Sequence, residues 1–151
     1  MSVRNLPRPD TLPDHLPRWL EAVSRRLYSE LGAEISDEFR QLRGSHRRLL
    51  QMIPAEGIRI TDLAAMAGMT KQALGEFADW LEGSGFVRSQ GDAADRRVRR
   101  LFRTALGDKA ADASQRAIAA VEARWRREIG AGAYDTMKQA LRQLGHDILR
   151  P

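Results

Sequence analysis

The sequence predicts a mostly helical protein with a small wing of two or three β-strands. Apolar side chains recur at steps of three and four residues over long segments near both ends of the chain, which is the spacing of amphipathic helices. In the middle, two shorter helical segments flank a turn at Gly68, a residue type that commonly ends helices. A polar turn between two strand-like segments, residues 86–89 and 97–103, follows them. This order predicts long helices on either side of a group of short elements.

The composition excludes several classes of protein. The chain has 151 residues, a length typical of one domain with or without an extension. It has no cysteine, which excludes disulfide scaffolds, zinc fingers, iron–sulfur clusters and thiol chemistry. No stretch approaches about 18 consecutive apolar residues and the N-terminal segment has no signal-like apolar core, so we expect a cytoplasmic protein without a membrane partner.

The positive charge is concentrated in two segments. The chain has 25 Lys and Arg against 20 Asp and Glu, giving a net charge of +5, and 22 of those cations are arginine. Residues 39–50 and residues 86–103 each have a net charge of +4, so the rest of the chain is acidic overall. The planar guanidinium suits phosphate and guanine, although a GC-rich genome also favours arginine codons. The arginine excess is therefore consistent with nucleic-acid binding and does not establish it.

The N-terminal part of the chain predicts an irregular arm and two helices. Residues 1–11 contain two prolines, Pro7 and Pro9, and form the arm, and residues 12–34 form the first dimerisation helix. The apolar stripe of that helix consists of Leu16, Leu20, Val23, Leu27 and Leu31. A second helix is expected over about 36–53, with Ser36 as its N-cap.

Residues 35–104 are expected to form a single domain. A short helix opens at Thr61 and ends at Gly68, and the next helix opens at Thr70 and ends at Gly83. The two strands follow. Because a two-stranded ribbon is marginally stable alone, it must lie against these helices.

Residues 105–151 predict two more dimerisation helices. Their apolar stripes extend over about 105–129 and 133–149, with a glycine-containing break between them. Together with the stripe near 12–31, they offer more apolar surface than a single small bundle requires. We therefore expect these three helices to form the interface of a homodimer.

A short helix, a turn, a second short helix and a basic ribbon form the pattern of a winged helix-turn-helix. In this motif the second helix enters the major groove with its N-terminal residues at the base edges. That helix would expose Thr70, Lys71 and Gln72, while Gly75 has no side chain to hold the backbone away. The ribbon would offer its arginines to phosphates or to a narrow minor groove; these are Arg88, Arg96, Arg97, Arg99 and Arg100.

These residues resemble the DNA-binding core of the MarR regulators, the multiple-antibiotic-resistance type of bacterial repressor. The motifs lie within residues 58–107, and the flanking helices extend the resemblance over nearly the whole chain. The residues that carry it are Ile60-Thr61-Asp62-Leu63-Ala64, Gly68-Met69-Thr70-Lys71-Gln72-Ala73-Leu74-Gly75, Leu81-Glu82-Gly83-Ser84-Gly85-Phe86-Val87, and Asp92 with Asp95-Arg96-Arg97.

The resemblance implies a homodimer that presents two winged helix-turn-helix lobes to a pseudo-palindromic operator. It also implies that Thr61 belongs to the DNA-binding surface and that Arg96 or Arg97 enters the minor groove. Asp95 would orient a neighbouring arginine, which an acid among five arginines supports; alternatively, Asp92 and Asp95 only form a turn at the ribbon tip. Two departures from the family pattern are Ala93, where proline is common, and Glu76, where an acid facing the groove would favour cytosine or avoid phosphate.

A second cationic stripe leaves two interpretations open. Arg40, Arg43 and Arg47 recur at steps of three and four, so they form either an anion site for DNA or an acidic effector, or a solvated helix face. The expected effector site would add His46 and Trp19, although such residues more often pack in a core. Members of the family often bind small phenolic acids.

The overall expectation is a dimeric transcriptional regulator that binds double-stranded DNA and responds to a small effector, and the resemblance implies that it is a repressor. We expect no cofactor, no metal and no enzymatic activity, since the sequence contains no phosphate-binding loop, zinc-protease motif or nucleophile elbow. The alternative is an architectural or protein-interaction winged-helix module that binds DNA without sequence specificity.

Overall fold

The computed structural model describes residues 14–95 and 98–146, and it confirms the predicted mostly helical fold with a small wing. Within these residues there are six α-helices, one 3-10 turn and three strands. In chain order they are α1 (Leu16–Glu34), the 3-10 turn (Asp37–Phe39), α2 (Gly44–Met52), β1 (Ile58–Arg59), α3 (Ile60–Ala67), α4 (Lys71–Gly83), β2 (Val87–Gly91), β3 (Arg99–Arg103), α5 (Ala105–Ile129) and α6 (Ala131–Gly145).

The expected single helix over about 36–53 is wrong. The chain forms the 3-10 turn, bends, and starts α2 only at Gly44. The carbonyl of Leu42 accepts a hydrogen bond from the Arg47 side chain. The bend lets Ile35, Phe39 and Leu42 all enter the core, where none is more than 5% exposed. Apolar spacing that suits one helix thus serves two elements instead.

The turn between α3 and α4 has local causes in the sequence. Gly68 adopts a φ of +66°, a left-handed conformation that favours glycine, and its N–H donates to the last turn of α3. Thr70 then caps α4, because its side-chain oxygen accepts a hydrogen bond from the Ala73 N–H at 3.1 Å. These two residues determine where α4 begins.

The wing is an antiparallel sheet of three strands in the order β1-β3-β2. Leu101 of the central strand lies opposite Ile58 on one side and Ser89 on the other. Leu101 is 1% exposed and anchors the sheet in the core. The short β1, directly before α3, therefore joins the wing to the helix-turn-helix.

The core lies among α2, α3, α4, the sheet and the start of α5. Its fully buried side chains include Leu42, Leu50, Leu63, Leu74, Leu81, Phe86 and Leu101. The first turn of α5 packs tightly onto the segment before β2, where a Cβ added at Gly107 would lie 2.0 Å from the Phe86 carbonyl oxygen. Only glycine fits at this contact.

The helices outside this core are connected largely by ion pairs. Glu30 of α1 accepts hydrogen bonds from Arg124 at 3.1 Å and from the Trp125 indole at 2.9 Å, both on α5. Between α5 and α6, Lys138 pairs with Glu122 at 2.8 Å. No residue of α1 is buried, and Leu16, Trp19, Leu20 and Val23 are all more than 40% exposed.

In the described ranges, no helix has the length and apolar character needed to span a bilayer.

Candidate nucleic-acid interface

The start of α4 presents a polar surface beside the turn. Thr70, Lys71 and Gln72 are exposed, and a Cβ placed on Gly75 would meet no atom within 4 Å. The opposite side of α4 is buried through Leu74, Ala78 and Leu81. This arrangement leaves a hydroxyl, an ammonium and an amide on the solvent side of a firmly packed helix, with open space around the glycine.

Two other predicted residues lie at the margins of this surface. Thr61 is exposed in the first turn of α3, and its hydroxyl is 3.4 Å from the Asp62 carboxylate. Glu76 lines a cavity between α2 and α4. The carboxylate of Glu76 is thus associated with the flank of α4 that faces α2.

Arg88 is held on the outer side of the wing. Its guanidinium lies 4.4 Å from the centre of the Phe102 ring, and its Nη1 donates to the Gln90 side chain at 3.0 Å. Arg88 remains exposed, so the cation is positioned and still available to an anionic partner. Arg96 and Arg97, at the predicted tip, lie outside the described residues.

Arg99 faces α4, which differs from the expected phosphate contact. Its guanidinium donates to Asp79 and Glu82 of α4 and to the Ser89 hydroxyl, each at 2.6 Å. Hydrogen bonds from Ser89 and Arg99 lower the pKa of Glu82 below its usual range. This geometry disfavours Arg99 as a DNA contact and gives it the role of joining β3 to α4.

Asp92 forms a second polar junction, at the base of the wing turn. The residue is 4% exposed, and its Oδ2 accepts hydrogen bonds from Arg59 at 3.0 Å and from Arg100 at 3.2 Å. Its Oδ1 accepts from the Ala94 N–H at 2.9 Å, which forms the expected turn. The bond from Arg59, followed by that from Ala94, holds the pKa of Asp92 far below its ordinary value.

Asp92 therefore combines the turn role with the arginine-orienting role that the sequence suggested for Asp95. Arg100 also donates to the carbonyl oxygens of Glu56 at 3.1 Å and Gly57 at 2.9 Å, so it braces the fold and, like Arg99, is disfavoured as a phosphate contact. Arg59 was not predicted from the sequence as a partner of Asp92. It stands 33 positions from Asp92, and no helical or strand spacing connects residues that far apart.

The predicted effector residues do not form one site. Arg40 is exposed and pairs with Asp37 at 2.7 Å, while Trp19 lies near the start of α1, roughly 24 Å along the helix axis from the α1–α2 connection. Arg47 lines a cavity between α1, α2 and α5. Arg43 and His46 line a different cavity, between α2 and α4.

The cavity between α1, α2 and α5 has a volume of about 200 Å³. Apolar side chains of α1 and α5 form one wall, and Arg47, Arg48 and Gln51 of α2 form the other. Burial lowers the pKa of Arg47, which still remains a cation at neutral pH. The Gln51 Nε2 is buried without a hydrogen-bond partner among the described residues. A cation and an unused donor in an apolar cleft suit an anionic or carbonyl-bearing ligand.

A helix-turn-helix with a capped, polar second helix, followed by a three-stranded wing, defines a winged helix-turn-helix protein. Residues 48–98 of this chain match the model of the MarR family. This match confirms the resemblance seen in the sequence motifs. No curated protein matches the chain by sequence.

Solved structures share this fold over most of the chain. CouR from Rhodococcus jostii RHA1, bound to p-coumaroyl-CoA, is 22% identical, with 87% of this chain and 92% of CouR covered and a TM-score of 0.71. FabT from Streptococcus pneumoniae in complex with DNA is 16% identical, with 87% and 94% covered and a TM-score of 0.75. The reduced form of MarR from E. coli is 17% identical, with 89% and 98% covered and a TM-score of 0.75.

Proposed function

We propose that this protein is a dimeric, sequence-specific DNA-binding regulator that acts in the cytoplasm as a repressor of a pseudo-palindromic operator. The observation that carries the proposal is the solvent-facing start of α4, with Thr70, Lys71 and Gln72 exposed beside the bare backbone of Gly75. These groups can hydrogen-bond to base edges in a major groove. FabT, which shares the fold, was solved in complex with DNA.

The wing supplies the second contact in this proposal. Arg88 is exposed on its outer face, and Arg96 and Arg97 are proposed to reach the adjacent minor groove. Asp95 is exposed beside that pair in sequence and remains a candidate for orienting one of them. Phosphate contacts from these cations would supply salt-dependent affinity, whereas α4 would supply base preference.

The terminal helices support a homodimer. Leu16, Trp19, Leu20 and Val23 of α1 and Leu141 and Leu144 of α6 are large apolar side chains with 43% to 76% exposure. Contiguous exposed apolar surface on helices commonly marks an interface. A two-fold dimer would place two copies of α4 on one side of DNA, which matches a pseudo-palindromic site.

A small anionic effector is proposed to bind in the cavity between α1, α2 and α5. Arg47 offers a partly buried cation and Gln51 an unused amide donor, and apolar side chains surround both. CouR was solved with p-coumaroyl-CoA, an acyl ligand with an aromatic ring. The cavity joins a proposed dimerisation helix to the DNA-binding domain, so an occupant would contact both.

Selection of bound duplexes from a random-sequence pool tests DNA recognition. A pseudo-palindromic consensus should emerge, and it should bind at least about a thousandfold more tightly than scrambled DNA at the same salt concentration. Gln72→Ala should narrow the free-energy gap between the consensus and its best base variants by about 1–3 kcal/mol. Gln115→Ala, an exposed amide on α5, is the matched control.

An architectural module is the competing function. It would bind consensus and scrambled DNA equally at every salt concentration, because the electrostatic contribution is independent of sequence. The Arg-rich wing is the feature that supports this alternative. Equal affinities for consensus and scrambled DNA would favour the architectural module over the regulator.

A further inference from the structure

A second cavity lies on the flank of α4, beside the proposed DNA surface and apart from the cavity that Arg47 lines. Its volume is about 340 Å³, within the range of small-molecule sites, about 300–1,000 Å³. Six residues line it: Gln41, Arg43, His46, Glu76, Phe77 and Trp80. They come from the bend before α2, from α2 itself and from α4.

Aromatic rings form one wall of this cavity. The His46 imidazole stacks on Trp80 with ring centres 4.2 Å apart, and it meets Phe77 edge-on at 5.0 Å. Trp80 is 37% exposed, which is high for a large aromatic side chain packed on its neighbours. A planar apolar group placed here would cover the exposed part of Trp80.

Two opposite charges flank this wall. Arg43 and Glu76 are both exposed, and neither side chain makes a hydrogen bond or ion pair with any residue in the described ranges. They line one cavity without forming an ion pair with each other. Each charge is consequently available to a complementary group on a ligand that lies between them.

His46, one of the wall residues, has an unused polar atom. The Nδ1 of His46 is buried and has no hydrogen-bond partner among the described residues. The residue is 7% exposed, and burial together with the nearby Arg43 lowers the pKa of its imidazole. The Nδ1 of His46 therefore retains capacity for one further hydrogen bond.

We propose that this cavity binds a small aromatic molecule that carries both an ammonium and a carboxylate group, that is, a compound of the aromatic amino-acid type. The carboxylate pairs with Arg43, the ammonium pairs with Glu76, and the ring packs against Trp80 and Phe77. The assignment does not depend on DNA binding or on an effector in the cavity between α1, α2 and α5.

Fluorescence of Trp80 in the full chain tests this site. Trp19→Phe and Trp125→Phe leave Trp80 as the single tryptophan of the three in the sequence. The probes are L-phenylalanine, 3-phenylpropanoate, which lacks the ammonium, and 2-phenylethylamine, which lacks the carboxylate. L-phenylalanine should change the Trp80 emission at millimolar concentration or below, and each truncated probe should bind about five- to tenfold more weakly.

Charge-removing variants identify the partners of each ligand group. Arg43→Gln should weaken L-phenylalanine and 3-phenylpropanoate about fivefold and leave 2-phenylethylamine unchanged, and Glu76→Gln should do the reverse for the ammonium-bearing probes. Arg40→Gln, an exposed arginine outside the cavity, should have no effect. Both test residues are exposed, and circular dichroism confirms folding of each variant.

Three results would overturn the proposal. They are the absence of any emission change with all three probes, equal affinity for the three probes, and a loss of binding in Arg47→Gln equal to that in Arg43→Gln. The last result would place the ligand in the other cavity. Because no DNA is present, none of them bears on the proposed DNA recognition.

Discussion

At the scale of single residues, Asp92 controls the geometry of the wing. Its carboxylate accepts hydrogen bonds from Arg59 of β1, directly before α3, from Arg100 of β3 and from a backbone N–H of the turn itself. One side chain thus connects three segments that are distant in sequence. An amide in its place keeps the size of the side chain and loses the charge that attracts both guanidinium groups.

Asp92→Asn should weaken binding to the selected consensus about three- to tenfold, because the wing loses its fixed orientation. Fluorescence anisotropy with labelled duplex measures the change. Asp112→Asn, at an exposed position of α5, serves as the control and should bind normally. Equal affinities of the two variants would mean that the wing does not need Asp92 to contact DNA.

His46 should make the stability of the protein depend on pH. Burial and the nearby Arg43 lower its pKa in the folded state, whereas the unfolded chain has the ordinary value of about 6.5. The unfolded state therefore binds more protons at pH values between the two, and the free energy of unfolding falls as the pH decreases below about 7, by at most about 1.4 kcal/mol per pH unit.

Urea unfolding at several pH values between about 5 and 8 measures this slope. His46→Phe, which keeps an aromatic ring and removes the titrating group, should flatten the slope in that interval. A slope that is the same in the variant would assign the pH dependence to other groups.

The exposure of the candidate site residues was more predictable from the sequence on α4 than in the wing. Exposure of Thr70, Lys71 and Gln72 follows from helical periodicity, since Leu74 and Leu81 fix which side is buried. Strand alternation in the wing predicts only the side of the sheet on which an arginine lies. It does not predict that Arg99 finds carboxylates on α4, because that partner is defined by tertiary packing.

At the scale of secondary-structure elements, two glycines in helices have opposite roles. A Cβ at Gly107 would lie 2.0 Å from the Phe86 carbonyl oxygen, whereas one at Gly75 would meet nothing within 4 Å. Gly107 allows α5 to approach the segment before β2. Gly75 lowers the stability of α4 and makes no close packing contact that requires glycine, which points to a role outside the fold.

Gly75→Ala should raise the free energy of unfolding by about 0.5–1 kcal/mol and at the same time lower affinity for the consensus about tenfold, because the methyl group separates α4 from the groove. Gly107→Ala should instead lower the free energy of unfolding by about 1–3 kcal/mol through overpacking. Chemical denaturation and anisotropy measure the two quantities. A Gly75→Ala variant with unchanged DNA affinity would move the DNA surface away from this position.

The boundaries of elements were predictable where caps and glycines mark them. The sequence predicted α5 over about 105–129, and the helix occupies Ala105–Ile129, with Thr104 capping its start through the Gly107 N–H at 3.1 Å. In the segment 36–53, the expected N-cap Ser36 precedes the 3-10 turn, and no predicted cap marked the start of α2 at Gly44. The apolar spacing of this segment fits one long helix as well as a 3-10 turn followed by α2. Only the burial of Phe39 and Leu42 in the core distinguishes the second arrangement from the first.

At the scale of the whole molecule, the exposed apolar side chains of α1 and α6 support the proposed homodimer. Val23 is 43% exposed and lies in the middle of the α1 stripe. Val23→Arg should convert the dimer to a monomer, because an unpaired cation in an apolar interface is unfavourable. Affinity for the consensus should fall about a hundredfold or more as the two lobes bind separately.

Sedimentation velocity measures the oligomeric state of this variant. Ser29→Arg adds the same charge at an exposed position on another side of α1 and should remain a dimer. A wild-type protein that sediments as a monomer would contradict the proposed assembly directly.

The two polar junctions of the wing bear on the spacing between the proposed major-groove and minor-groove contacts. Asp92 connects the turn to the start of α3, and Arg99 connects β3 to the far part of α4. These hydrogen bonds therefore hold the base of the wing at a fixed separation from α4, the proposed groove helix. On an operator, the number of base pairs between the major-groove and minor-groove contacts of a half-site is then a property of the protein. Inserting one base pair there should be as damaging as changing a base that α4 contacts, even when every contacted base is intact.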